Sequence, residues 1–219
     1  MSDVVIFGIG DFARTARVYL DADSDHRVVG FCVHERYIGS SELDGLPVVS
    51  FERIGESHPP DRFAMFVAVG FSRVNEARAE IYEQCKARDY ELISYVNSKA
   101  IYWGELQLGD NCFVFEANVI QPNVRIGNNV ILWSGNHIGH DSTIEDHCFI
   151  ASHAVISGNV TIGRSSFVGV NATFRDAITV APRCVIGAGA LIMKDTQEGE
   201  VYSVRGTEAL DKKSWDLNF

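Results

Sequence analysis

An aliphatic or phenylalanine side chain returns at every sixth position along the second half of the chain. These positions are Leu108, Val114, Ile120, Ile126, Leu132, Ile138, Ile144, Ile150, Ile156, Ile162, Val168, Phe174, Val180, Ile186 and Ile192. Neither an α-helix, with a period of about 3.6 residues, nor a β-strand, with a period of about 2, produces this spacing. A solenoid with three flat faces to each coil does, so the pattern predicts roughly five coils of roughly eighteen residues.

The position four residues after each periodic side chain is small or short, which suits a corner where the interior narrows. Glycine often follows the periodic residue directly, as at Gly139, and indicates either a positive φ or a close approach of the backbone. Coil stacking places Cys112, Cys148 and Cys184 in one column, where we expect small buried fillers. It also places Asn118 below Asn136 as a short amide ladder. The five cysteines form no Cys-x-x-Cys pair, and their odd number argues against a disulfide framework.

The first hundred residues alternate between strand and helix patterns. Strands are predicted at 3–8, 27–33, 46–49, 62–70 and 92–96, and helices at 11–21 and 72–88, with Ser72 as the N-cap of the second. This alternation predicts a small parallel sheet covered on both faces. Gly8 and Gly10 form a Gly-x-Gly turn, which lets backbone amides approach a phosphate. This turn has three interpretations: it binds a dinucleotide, it binds a nucleotide-linked substrate, or it is purely structural.

The composition narrows the classes of function. Nineteen basic residues against 29 acidic ones give a formal charge of −10, so nucleic acid is not an expected partner. No apolar run approaches the roughly 20 residues of a membrane-spanning helix. The first residues lack the basic segment of a secretory signal peptide. We therefore expect a soluble cytoplasmic protein without a membrane partner.

Four of the seven histidines lie close together, at His137, His140, His147 and His153. His140 and Asp141 follow the inward position Ile138, so the pattern places them at a corner that faces a groove outside the solenoid. Because imidazole has an ordinary pKa of about 6.5, His140 is a candidate general base, with Asp141 as its partner. The alternative is a turn histidine on the surface. We expect His147 to be an exposed turn residue.

The hexad resembles the left-handed parallel β-helix of the hexapeptide-repeat acyltransferases. Together with the N-terminal Gly-x-Gly unit, it resembles the nucleotide-sugar N-acetyltransferases of the bacillosamine and perosamine pathways, over about residues 3–204. The resemblance implies a nucleotide-sugar-binding α/β domain at 1–100 with a small, Rossmann-like parallel sheet. A left-handed β-helix of about five coils at 101–200 and a C-terminal tail at 201–219 follow it.

The resemblance also implies a reaction and an assembly. Acetyl-CoA is the implied co-substrate without a required metal, and the acceptor is a nucleotide-linked amino sugar, such as GDP-perosamine or a UDP-4-amino sugar. A homotrimer with active sites between its subunits is the implied assembly. O-acetylation of a sugar and a non-catalytic scaffold are alternatives. A metal-dependent hydratase is another, with zinc held by His137, His140 and His153.

Family site residues carry over by position. His140 matches the catalytic histidine, and Asp141 matches an acidic neighbour that is usually Glu. The residues implied for CoA binding are Gly158, Val170, Ala188 and Arg205. Of these, Gly158 lies about one coil beyond His140, where its amide would stabilise an oxyanion. Arg205 would pair with a CoA phosphate, although 201–207 replaces the family's usual Gly-Asn-Pro-Ala-Lys.

The residues implied for the nucleotide sugar are Gly8, Gly10, Asp11, Phe12, His34, Glu35, Trp133 and His153. Asp11-Phe12 stands where the family often has Gly-His, and Val33-His34 stands where an Asp pair reads uracil. These departures favour GDP or dTDP over UDP. Trp133 is expected either to stack on the sugar or to pack at a subunit interface.

Overall fold

The first part of the chain is a five-stranded sheet flanked by helices, as the alternating pattern predicts. Its elements are β1 (Asp3–Phe7), α1 (Asp11–Asp23), β2 (Arg27–Val33), β3 (Glu42–Leu43), β4 (Leu46–Ser50), α2 (Ile54–Ser57), β5 (Ala64–Val67) and α3 (Glu76–Lys86). In the computed structural model, which describes residues 2–216, the strand order is β3-β4-β2-β1-β5. All neighbours are parallel except the hairpin of β3 and β4, so the predicted parallel sheet is confirmed.

Alternate residues of β1 point to the two faces of this sheet. Val4 and Ile6 pack in the same core as Leu20 of α1. Val5 and Phe7 pack with α3 on the opposite face. Both faces are therefore covered.

Helix α3 begins later than predicted. Ser72 is not its N-cap, because Arg73, Val74 and Asn75 all have positive φ (53°, 53° and 67°) and an α-helix cannot start through a left-handed backbone. Asn75 is the N-cap residue instead. It is fully buried, and its Nδ2 donates to the backbone oxygens of Ser165 and Ser166. The second half of the chain therefore determines where this helix starts.

The second part of the chain is a parallel β-helix with three faces. Its two-residue strands are β6 (Tyr95–Val96), β7 (Ile101–Tyr102), β8 (Gln107–Leu108), β9 (Phe113–Val114), β10 (Val119–Ile120), β11 (Arg125–Ile126), β12 (Ile131–Leu132), β13 (His137–Ile138), β14 (Thr143–Ile144), β15 (Phe149–Ile150), β16 (Val155–Ile156), β17 (Thr161–Ile162), β18 (Phe167–Val168), β19 (Thr173–Phe174), β20 (Thr179–Val180), β21 (Val185–Ile186), β22 (Leu191–Ile192) and β23 (Val201–Tyr202). From β6 to β22 every third strand joins the same sheet, and β23 pairs with β21, which gives three stacked parallel sheets. The predicted solenoid is confirmed.

The segment predicted as the last strand of the first unit connects the two parts. Leu92 forms a parallel bridge with Met65 of β5, whereas Tyr95 pairs with Phe113 of β9. The β-helix therefore begins at β6, a few residues before the boundary that the sequence indicates.

The periodic side chains fill the interior of the β-helix. All of them from Val114 to Ile192 are buried, and Leu108 in an early coil is half-buried. Cys112, Cys148 and Cys184 are fully buried free thiols, as predicted. Burial raises the pKa of Cys112 and of Cys148 to about 12, so these thiols stay protonated at neutral pH.

The periodic glycines allow close backbone approach and do not supply positive φ. A Cβ on Gly139 would lie 2.4 Å from the carbonyl carbon of Ser157 in the next coil. Positive φ occurs two residues further on and returns at every sixth residue, mostly at non-glycine positions such as Asn123 (φ 64°), Asp141 (φ 58°) and Asn159 (φ 57°). Asn and Asp tolerate this left-handed conformation better than other non-glycine residues.

The predicted amide ladder takes a different form. The Nδ2 atoms of Asn118 and Asn136 both donate to the carbonyl oxygen of Trp133, at 3.0 Å and 2.5 Å. The two amides are therefore linked through a backbone oxygen that they share.

The three outer faces of the β-helix differ in composition. The docked face is aromatic, with Phe113, Ile131 and Phe149 buried in one core with residues of α1 and β1. The polar face presents Gln107, Arg125, Thr143, Thr161 and Thr179. The open face presents Ile101, Val119, His137, Val155, Thr173 and Leu191. Ile101, Val155 and Leu191 on it are 56%, 40% and 63% exposed, so three apolar side chains of this face lie uncovered.

Arg78 of α3 joins the two parts of the molecule. Its side chain is fully buried and donates to the backbone oxygens of Gly70, His147 and Cys148 and to Oδ1 of Asn129. Burial lowers the pKa of Arg78 to about 10, so the group keeps its charge at neutral pH. Neutral oxygens from both parts therefore solvate a buried cation, which otherwise would be very costly.

His147 is not the exposed turn residue that the sequence predicts. Its φ is 63°, which is a turn conformation, but its side chain is only 3% exposed because α3 covers this corner. Its Nδ1 lies 2.9 Å from Nδ2 of Asn129, and its ring packs edge-on against Tyr82. Burial lowers the pKa of His147.

No helix among residues 2–216 combines the length and apolarity required to cross a bilayer.

Replacing Arg78 by Met should lower the free energy of unfolding by about 3 kcal/mol, because buried carbonyl oxygens lose their donors. Urea denaturation measures the change. Arg125→Met on the polar face is the control, with an expected change within about 0.5 kcal/mol. Equal stability of the two variants would show that Arg78 does not join the two parts.

Candidate active site

His140 and Asp141 lie at the corner between the open and polar faces, where β13 ends and β14 begins. Their side chains are 55% and 47% exposed, and Nδ1 of His140 lies 2.7 Å from Oδ2 of Asp141. The pair therefore faces outward, and the two neighbouring side chains point towards each other. A surface turn does not by itself require this contact.

The geometry assigns the tautomer of His140. The hydrogen bond from His140 is the main cause of a lowered pKa at Asp141, and a second hydrogen bond comes from Asn123. Because an ionised carboxylate only accepts hydrogen bonds, Nδ1 of His140 must carry the proton that the pair shares. The neutral ring then has its lone pair on Nε2, which is the arrangement of a general base.

The next coil provides a seat for the imidazole. A Cβ on Gly158 would lie 2.7 Å from both Cε1 and Nε2 of His140, so any larger residue there would displace the ring. The predicted proximity of His140 and Gly158 is present. His153 has a similar seat on the preceding coil, since a Cβ on Gly135 would lie 2.5 Å from its ring.

The residues implied for CoA binding do not all converge in one chain. Gly158 lies beside His140, whereas Val170 and Ala188 lie at the corner between the docked and open faces, together with His153. Val170 is 43% exposed, and Ala188 is exposed as well. Arg205 is exposed beyond β23. The open face separates the two corners, so one chain presents two incomplete groups.

The Gly-x-Gly turn lies at the carboxyl end of β1. Gly8 has a φ of 129°, and a Cβ there would lie 2.7 Å from the backbone oxygen of Ala68, so this position requires glycine. Gly10 is the N-cap residue of α1, and Asp11 is its first residue. Asp11 is exposed, which leaves this helix end open to solvent.

Phe12 and Trp133 lie where the two parts of the molecule meet. The Trp133 ring stacks on Phe115 with centroids 4.5 Å apart, and Phe12 lies 6.2 Å from Trp133. Both rings are half-buried. Packing between the two parts of one chain is an arrangement that the sequence analysis did not anticipate for Trp133, and its contact with a sugar stays a prediction.

His34 and Glu35 follow β2 and are held by a residue that the sequence analysis missed. Oε1 of Glu52 lies 2.9 Å from Nδ1 of His34, and Oε2 accepts from the backbone nitrogen of Glu35 at 2.9 Å. The pKa of Glu52 is lowered to about 2, and the hydrogen bond from Ser50 is the largest cause. The side chain of Glu35 itself lies 3.8 Å from Arg53. Glu52 therefore fixes the backbone after β2.

A cavity of about 320 Å³ opens beside His34, and Phe7, Arg36, Tyr37 and Arg73 also line it. Glu80 also lines the cavity and forms an ion pair with Arg73, so only part of the charge of the two arginines is left to make the wall basic. Their positions after β2 and β5 are at the carboxyl edge of the sheet, where ligands of parallel sheets usually bind. The sequence analysis did not single out Arg36 and Arg73, although this rule would have indicated them.

Among residues 2–216, no three His, Cys, Asp or Glu side chains form a group that could hold a metal ion. His140 and His153 occupy opposite corners, and His137 lies on the open face between them.

Replacing His140 by Ala should raise the pKa of Asp141 towards its ordinary value of 3.8, because the main cause of the lowering is removed. Carboxyl-carbon NMR during a pH titration measures the midpoint. Asp23, whose lowered pKa has Ser98 and Tyr95 as causes, is the internal control and should not shift. An unchanged Asp141 midpoint would show that the pair does not form in solution.

Residues 123–158 match the family model of the bacterial transferase hexapeptide repeat (six repeats). This segment contains His140, Asp141 and Gly158. No curated protein matches the chain significantly in sequence.

Solved structures resemble the chain over most of its length. The acetyltransferase domain of PglB from Neisseria gonorrhoeae is 23% identical, with a TM-score of 0.79 over 92% of this chain and 96% of that one. A His-to-Asn variant of perosamine N-acetyltransferase from Caulobacter crescentus, in complex with CoA and GDP-perosamine, is 21% identical, with a TM-score of 0.83 over 92% and 93%. WeeI from Acinetobacter baumannii is 18% identical, with a TM-score of 0.77 over 92% and 96%. The chain therefore has the fold of these proteins, a small α/β part followed by a left-handed β-helix of hexapeptide repeats.

Proposed function

We propose that the protein is an acetyl-CoA-dependent N-acetyltransferase that acts on a nucleotide-linked amino sugar. The sugar we expect is a 4-amino-4,6-dideoxyhexose. The observation that carries this proposal is the outward-facing imidazole of His140, with Nδ1 held by Asp141 and Nε2 beside Gly158. Support comes from the solved perosamine N-acetyltransferase of the same fold, which holds CoA and GDP-perosamine.

In the proposed reaction, Nε2 of His140 removes a proton from the sugar amine as its nitrogen attacks the thioester carbonyl carbon. A base is needed because the nitrogen of the neutral amine gains positive charge as it bonds to the carbonyl carbon and must lose one proton to give the amide. The Asp141 carboxylate stabilises the imidazolium that forms. The tetrahedral oxyanion then collapses and expels the CoA thiolate, and the imidazolium returns its proton to the thiolate or to water.

Two groups of this chain's residues suit the acyl donor. The backbone amide of Gly158 beside His140 is our candidate for stabilising the oxyanion. Val170 and Ala188 are exposed residues whose backbone would contact the pantetheine arm, and Arg205 offers a charge for a CoA phosphate.

The nucleotide would bind at the carboxyl edge of the N-terminal sheet. Gly8, Gly10 and Asp11 form the turn at the end of β1, and His34 lies at the cavity beside it. Arg36 in that cavity wall would attract the diphosphate, since a local basic surface can coexist with a net acidic charge, whereas Arg73 is paired with Glu80. Phe12, Glu35, Trp133 and His153 are kept as candidates for the sugar and ribose.

We also propose that the working assembly is a homotrimer. Three apolar side chains, Ile101, Val155 and Leu191, are exposed along the open face, and a second copy of the chain would cover them. Such packing would bring the His140 corner of one subunit against the Val170 corner of the next. The two incomplete groups would then form one site.

The reaction is tested by incubating the protein with acetyl-CoA and a panel of UDP-, GDP- and dTDP-linked amino sugars while thiol release is followed. We expect release with at least one amino sugar and none with its hydroxyl analogue. Release with the hydroxyl analogue alone would instead indicate O-acetylation. No release with any acceptor would contradict the proposal.

His140→Asn should lower kcat/KM by about 100-fold or more, because the base is lost. His58→Gln in the N-terminal part is the control and should keep near wild-type turnover. Size-exclusion chromatography with light scattering checks that both variants assemble like the wild type. Near wild-type turnover of His140→Asn would remove this residue from the mechanism.

Val155→Glu should dissociate the trimer, because a carboxylate on the open face would be buried without a partner. Light scattering should report a smaller species, with turnover reduced at least about tenfold because the two corners no longer meet. Thr161→Glu on the polar face is the matched control and should leave mass and turnover unchanged. A monomeric wild type, or a Val155→Glu trimer, would contradict the assembly.

A further inference from the structure

The Asp141 carboxylate uses its two oxygens for two different partners. Oδ2 accepts from Nδ1 of His140 at 2.7 Å. Oδ1 accepts from Nδ2 of Asn123, 18 positions earlier in the chain, at 2.9 Å. Asn123 is thus the residue directly below Asp141 on the preceding coil. Its amide and the imidazole contact opposite oxygens of one carboxylate.

The preceding coil also holds the backbone of His140. Oε1 of Gln121 accepts from the backbone nitrogen of His140 at 2.9 Å. Two side chains of one coil therefore hold the two residues of the pair on the next, and the imidazole lies against Gly158 of the following coil.

An exposed carboxylate needs such a restraint to act on its sequence neighbour. The Asp141 side chain is 47% exposed, so water competes for its oxygens and the side chain has other rotamers available. A hydrogen bond from the side-chain amide of Asn123 restricts the plane of the carboxylate. That restriction keeps Oδ2 in front of Nδ1.

We propose that Asn123 is a positioning residue, which holds the Asp141 carboxylate so that His140 keeps Nδ1 protonated and Nε2 free to act as the base. This inference rests on the proposed function, since it gives Asn123 a task in that same site. In the proposed role, Asn123 touches neither substrate and acts only through Asp141.

The column of residues that contains Asn123 supplies matched variants. Asn123, Asp141, Asn159 and Ala177 occupy equivalent left-handed turn positions, with φ of 64°, 58°, 57° and 54°. Because Asp and Ala already occupy this turn, Asn123→Asp and Asn123→Ala should both fold. Asn159→Ala makes the same change one coil beyond Asp141 and is the control for loss of a turn asparagine.

Kinetics with the amino sugar found active form the first measurement. In Asn123→Ala, kcat should fall about tenfold, the effect of losing about 1.4 kcal/mol of orientation, while KM for acetyl-CoA stays within about twofold. Asn123→Asp should lose more, because a second carboxylate repels Asp141 and donates nothing. Asn159→Ala should match the wild type. Equal kcat in Asn123→Ala and Asn159→Ala would overturn the proposal.

Nitrogen NMR of labelled histidine is the second measurement and needs no substrate. His140→Asn identifies the His140 signals by their loss. The wild type and Asn159→Ala should show a neutral ring protonated at Nδ1, whereas Asn123→Ala and Asn123→Asp should show a mixture of both tautomers. An unchanged tautomer in the two Asn123 variants would overturn the role of Asn123, even if no amino sugar of the panel were acetylated. The failure of this inference can therefore be told apart from the failure of the proposed reaction.

Discussion

Hydrogen bonds between successive coils are the interaction on which the rest of the structure depends. At the His140 corner, the backbone nitrogen of Asp141 donates to Pro122, and that of Asn159 donates to His140. This register places each residue on the one 18 positions earlier, as Asp141 lies on Asn123. A functional side chain therefore has neighbours determined by coil spacing. The restraint on Asp141 and the seat of the His140 ring both come from that geometry.

The three faces of the β-helix divide the tasks of the molecule. Buried Arg78 and Asn75 bind backbone oxygens of the β-helix, which fixes the N-terminal sheet on the docked face. The polar face contacts water, and the open face is the surface on which the proposed trimer would form. Under the proposed trimer, the nucleotide cavity next to His34 is built within one chain, whereas the acyl-transfer site needs two.

Periodicity made the β-helix predictable to individual residues, because inward positions and columns follow from counting. The proximity of His140 and Gly158 was predictable for the same reason. The burial of His147 and the start of α3 at Glu76 were not, since both depend on how the N-terminal part docks. Glu52 was missed because its role needs the fold to bring it beside His34. Hydrophobic patterns in the sequence describe each helix or strand by itself, whereas the burial of His147, the start of α3 and the contacts of Glu52 depend on how separate elements pack together.

Exposure explains why assembly would matter for the chemistry as well as for completing the site. The side chains of His140 and Asp141 are 55% and 47% exposed, so water weakens their electrostatic interaction in a single chain. A neighbouring subunit over this corner would exclude much of that water, and the same contact would then stabilise an imidazolium more strongly. The geometry of the pair is already present in one chain. Its full electrostatic effect would require the second.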